Sequence, residues 1–183
     1  LDRFDRLRQW PSFAVGALAG LVAGLAAWFY PEVSGSGAIL ADHALAGEIA
    51  IRGVIVLVAV RFILTMVSYG SGSAGGIFAP LLVIGALGGL AVGRAAHHVT
   101  PAWAGHPEVF AVLGMGALLT SIVRAPLTGI VLMIELTGEY NYMLPLLISC
   151  FAAYGVAEAM NDAPIYEALR ERAKHRAAAP VTS

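Results

Sequence analysis

Apolar positions run in long unbroken stretches, and the lengths of those stretches set out the elements. Residues 10–30 are small and apolar and close on Pro31, enough for a helix that crosses a bilayer. Gly16, Gly20 and Gly24 recur every four residues and lay a smooth seam on one helix face, a spacing that lets a second helix approach closely. Pro31–Gly37 (PEVSGSG) reads as a turn, and Ala38–Ala46 is too brief to cross. Glu48–Tyr69 again has spanning length. It carries Arg52 and Arg61, which point to opposite sides of a helix and read as structural anchors rather than a joint anion site. Another apolar helix is expected from Ile77 or Phe78 to about Val99, directly after the run Gly70–Gly76. Trp103–Pro107 is a loop, and Glu108–Val123 is a short spanning candidate that Arg124 and Pro126 interrupt. Pro126–Thr137 and Met143–Met160 are two more helices, and Ala163–Arg176 is a final helix of ordinary soluble polarity. Short, Gly/Pro-broken apolar segments of this kind are tolerated only where loose backbone is buried in protein or lines a polar cavity, and in transporters they mark the substrate site.

Charge sharpens this picture. Of the 183 residues 58% are apolar and 13% charged, and twelve acids against eleven bases leave the chain near neutrality, which argues against a nucleic-acid partner. Residues 62–123 hold only Arg94 and Glu108, whereas Leu1–Arg8 and Glu167–Arg176 are dense in charge. A soluble domain needs far more charged surface, so the chain reads as an all-α integral membrane protein. The basic residues Arg3, Arg6 and Arg8 at one end and Arg170, Arg172, Lys174 and Arg176 at the other place both ends in the cytoplasm. The expected organisation is a cytoplasmic end of a preceding helix at 1–10, a transmembrane helical region at 11–160 with a candidate loop at 70–80, and a final helix and tail at 161–183. No cleavable leader opens the chain, which reads as beginning midway through a larger protein.

The candidate chemistry lies in GSGSAGGIFAP (70–80). Its glycines let backbone turn sharply against a ligand, and Pro80 suits the first turn of a helix, where its missing N–H is no loss. The free amides of that helix start, with the positive end of the helix dipole, make an anion site without a full positive charge, weak enough to let a transported ion leave. The competing reading is a flexible extramembrane linker. Elsewhere the residues offer little. His97 and His98 are adjacent and cannot share a metal; with Arg94 they suit a membrane–water boundary. Glu158 and Asp162 share a face at i,i+4, with Asp162 suited to cap the helix that follows Ala163-Pro164. The single cysteine, Cys150, lies in an apolar run. There is no nucleophile–base pair, no metal motif and no sign of a cofactor, so the chain is not expected to be an enzyme.

The sequences SGSAGGIFAP, GMGALLTSIVRAPLTGIVLMIELTGEY and PIY, in that order and spacing, resemble the second half of the CLC family of chloride channels and chloride/proton antiporters, from about Leu1 to Arg176. The resemblance implies the second inverted repeat of a CLC-type fold, with tilted, broken and partly spanning helices. It implies that the backbone amides of Ile77 and Phe78, after Gly76, and the hydroxyl of Tyr166 bind chloride or a similar monovalent anion. Read without the family, Tyr166 is an interfacial aromatic at a helix start. The resemblance further implies a homodimer through 125–137 and 143–160, where Ala125, Gly129, Ala152 and Gly155 are small enough for close packing; packing within one chain is the alternative. It also implies an N-terminal repeat of the same protein as partner, since the serine loop, gating glutamate and proton-transfer glutamate of the family's first half have no match here. Glu135 and Glu139 match neither glutamate, and Glu135 reads as structural. Two functions stay open: the C-terminal half of an anion channel or antiporter, and a membrane assembly module that conducts nothing without a separate first half.

Overall fold

The computed structural model describes residues 12–29, 31, 37–46, 51–70, 78–101, 106–161 and 163–178. Among these, eight α-helices follow one another with no strand: α1 (Ser12–Phe29), α2 (Ala38–Leu45), α3 (Ile51–Gly70), α4 (Phe78–Val99), α5 (Val109–Val123), α6 (Pro126–Thr137), α7 (Met143–Ala159) and α8 (Ile165–Ala178). A 3-10 turn, Tyr140–Tyr142, leads into α7. The described segments Phe78–Val99 and Tyr140–Ala159 are long and apolar enough to cross a membrane. By contrast α5 and α6, with 15 and 12 residues, reach roughly 22 and 18 Å at the α-helical rise, short of the hydrocarbon thickness of about 30 Å. The chain divides into two compact units, Leu1–Met115 and Gly116–Ser183.

In the first unit α4 is the organising helix, with α2 and α3 packed on it. The short α2 gives up two fully buried side chains, Leu40 and Ala44, one helical turn apart. Val54 and Leu57 of α3 and Val83, Ala86, Leu87 and Leu90 of α4 complete this core. Gly37 begins α2 in the left-handed region (φ 78°), and a Cβ built there would lie 2.8 Å from Arg61 Nη2 and 2.9 Å from Val83 Cγ2. Arg61 is buried. Its charge therefore faces protein, one of the ways an arginine in an apolar helix is accommodated. The side chain of Arg52 lies outside the described residues.

The beginning of α5 meets α4 through glycine. A Cβ on Gly85 would sit 2.7 Å from the Gly114 carbonyl and one on Gly93 would sit 2.5 Å from that of Pro107. One on Gly89 would overlap the Phe110 carbonyl, and one on Gly114 that of Gly85. Here the helices touch backbone to backbone, as small residues at helix interfaces allow. The seam expected on α1 behaves differently: a Cβ on Gly16, Gly20 or Gly24 meets no described atom within 4 Å.

In the second unit α6 packs on α7, with Ile130, Met133, Leu146 and Cys150 in the core. Glycine again sets the distance, since a Cβ on Gly116 would lie 3.0 Å from Cys150 Sγ and one on Gly129 2.7 Å from Thr120 Oγ1. Gly129, read from sequence as part of an intersubunit face, is thus spent on packing within the chain. Gly155 has open space around it, and Ala152 is exposed. Pro126 occupies the first turn of α6 and Gly138 closes it in the left-handed region (φ 69°), its N–H donating to the Ile134 carbonyl.

Candidate anion site

The donor loop and the tyrosine fall in different units. Gly76 and Ile77 lie outside the described residues. Phe78 is the first residue of α4, with a half-exposed side chain, and Pro80 falls in that first turn as its lack of an N–H favours. A helix of 22 residues starting there leaves its first amides without intrahelical partners. These donors and the helix dipole favour negative charge at the Phe78 end with no cation needed. α4 carries no acidic residue in its first turn to compete for that role.

Tyr166 is the second residue of α8, half-exposed, following Pro164. The Ala168 amide donates to the Pro164 carbonyl at 3.0 Å, which closes the first turn of α8 beneath the tyrosine. A phenol is a neutral donor that can hold an anion and release it. Asp162, read as the cap of this helix, lies outside the described residues.

Two residues near this end of the second unit play parts that spacing alone did not reveal. Arg124 was read as an interruption and Glu158 as a partner of Asp162. In the structure Arg124 Nη1 donates to Glu158 Oε2 at 2.9 Å and Nη2 donates to the Ala157 carbonyl at 2.6 Å. The Arg124 side chain is 8% exposed. The only signal for this in the sequence was a charge placed between two apolar runs. Elsewhere, His97 and His98 are exposed in the last turn of α4, and His106 Nδ1 lies 2.9 Å from Glu108 Oε1 just before α5. Glu135 and Glu139 are exposed. Among the described residues no group of His, Cys, Asp and Glu is arranged to hold a metal.

The profile of the family described as "Voltage gated chloride channel" matches residues 1–158. The chain belongs to this family. Tyr166 lies beyond that match, whereas Phe78 lies within it. The H(+)/Cl(-) exchange transporter ClcA of Vibrio parahaemolyticus is 41% identical over 172 residues, which is 94% of this chain and 36% of that protein. The ClcA of Yersinia pestis is 39% identical over 158 residues, covering 86% of this chain and 33% of the relative. Among solved structures, that of a slow cyanobacterial Cl-/H+ antiporter is similar with a TM-score of 0.84 and 40% identity, over 94% of this chain and 40% of that one. The all-α membrane fold is therefore that of the CLC antiporters, and the chain spans a little over a third of the length of the Vibrio relative.

Proposed function

We propose that this chain supplies the C-terminal half of a chloride pathway, of the proton-coupled exchange type named for its relatives. The observation that carries the reading is the 41% identity to a chloride/proton exchanger along 94% of the chain. Chloride, or a similar monovalent anion, is held by the backbone amides at Ile77 and Phe78, beside Gly76, and by the Tyr166 hydroxyl. Amide and phenol donors suit this task because they bind an anion through geometry and release it without breaking an ion pair. A first-repeat segment closes the other side of the site. The chain spans a little over a third of the length of its Vibrio relative, and on this reading it is by itself a membrane assembly module rather than a conductor.

Two copies pair through 125–137 and 143–160. Leu127, Val131, Leu144, Ile148 and Val156 are exposed on α6 and α7 and offer the apolar surface for this pairing. Light scattering of the detergent-solubilised protein is expected to give two copies, and a single copy at micromolar concentration contradicts the pairing. Both chain ends face the cytoplasm from a bacterial inner membrane.

Tyr166→Phe tests the site. Removing one neutral hydrogen bond of about 1 kcal/mol is expected to weaken chloride binding about fivefold by calorimetry on the assembled protein, with expression and pairing intact. An unchanged affinity would falsify the assignment of Tyr166.

A further inference from the structure

The backbone of Arg124 adopts a conformation that arginine rarely takes. Among the described residues only Arg124 (φ 62°) and Asn161 (φ 51°) are non-glycine residues in the left-handed region. For a side chain with a Cβ that region costs on the order of 1–2 kcal/mol, and asparagine tolerates it better than arginine does. The local chain explains why a left-handed residue is needed. The Arg124 amide closes α5 on the Thr120 carbonyl at 2.8 Å, and Ala125, held off helical geometry by Pro126, must turn the chain into α6. Glycine or asparagine would make this turn more cheaply. An arginine there is retained against local strain, so its side chain has a task.

The contacts say what that task is. Arg124 reaches across to α7 and binds its last turn twice, at the Ala157 carbonyl and at the Glu158 carboxylate. Ala157 O belongs to the final carbonyls of α7, which lack intrahelical partners, and a guanidinium there also meets the negative end of the helix dipole. Glu158 is shared between this tie and the helix end, because its own carbonyl accepts from the Asn161 amide at 3.0 Å. The second left-handed residue thus lies at the far side of the same tie. From Asn161 the chain passes to Pro164 and, two residues later, to Tyr166.

We propose that Arg124 is a positioning residue for Tyr166: it fixes the last turn of α7, and so the departure of the link that presents the tyrosine hydroxyl. This rests on the reading of Tyr166 as an anion ligand. A lysine would reproduce one point contact but not the forked pair, so the two cations are not equivalent here.

The test is a double-mutant cycle on the chain assembled with a first-repeat half, read by calorimetric chloride affinity and by thermal unfolding. Arg124→Asn keeps a side chain that tolerates the left-handed turn while removing the reach to α7. Arg124→Lys restores one contact. R124N is expected to weaken chloride binding by no more than Y166F does, about fivefold, because the interaction lost is the same hydroxyl bond. In the Y166F background R124N then adds no further loss, and with Tyr166 in place R124K binds chloride more tightly than R124N does. Additive losses in the cycle, or an R124N protein that melts lower with chloride affinity unchanged, overturn the positioning role and leave Tyr166 as ligand. If Y166F itself leaves chloride affinity unchanged, the site reading fails and the positioning role fails with it. Should R124N not fold, R124K alone decides: an affinity equal to that of the unsubstituted protein overturns the proposal, and an intermediate loss absent from the Y166F background supports it.

Discussion

Glu108 shows how a single carboxylate at a helix start is tuned. It precedes α5, and a hydrogen bond to its own backbone amide, aided by His106, holds its pKa below the usual carboxylate value despite slight burial. A depressed folded-state pKa adds stability that is present above the unfolded-state value and lost as the pH falls through the folded-state value. The melting temperature of E108Q is therefore expected to lie slightly below that of the unsubstituted protein at pH 7, with the gap closing as the pH drops below the ordinary carboxylate range. A gap that widens on acidification would contradict this. Other residues differed in how far the sequence revealed them. That Pro80 stands in the first turn of a helix followed from its chemistry, and α4 begins at Phe78 accordingly. Arg124 was unreadable in the same way, because a left-handed arginine violates the local preferences from which a sequence is read. Its partners lie 33 and 34 positions away, beyond the reach of helical spacing.

At the scale of elements, glycine spacing is ambiguous where it looks most informative. Gly16, Gly20 and Gly24 on α1 and Gly85, Gly89 and Gly93 on α4 share the same four-residue ladder. Only the second ladder is pressed against another described helix, because spacing defines a smooth face without naming what covers it. The two ladders predict opposite outcomes. Gly89→Ala drives a methyl group into the Phe110 carbonyl, a backbone group that cannot step aside, and is expected to cost about 3 kcal/mol or more in thermal unfolding. Gly16→Ala in the same chain meets open space and is expected to stay within about 0.5 kcal/mol of the unsubstituted protein. Equal effects from the two substitutions would show that the α4–α5 contact is not the close one described. Gly129 makes the same point: its small size served equally well for a contact between subunits and for one within the chain, and the nearby Thr120 hydroxyl decides for the latter.

For the whole molecule, the short α5 and α6, the exposed apolar surface of α6 and α7, and the partial coverage of every quoted relative point the same way. On the proposed reading these helices are completed by a first-repeat segment, whose protein encloses the ends of helices too short to cross alone. The membrane class and family were legible because charge depletion and motif order are written in the sequence itself. The closed pathway was not legible, because on the proposed reading its other donors have no counterpart among these residues. Chloride efflux from liposomes tests this most directly, with the purified 183-residue chain reconstituted alone and then together with the first-repeat half of its Vibrio relative. Efflux only when both halves are present is the expected result. Equal efflux from the chain alone would contradict the account, showing that this repeat builds a conducting path by itself.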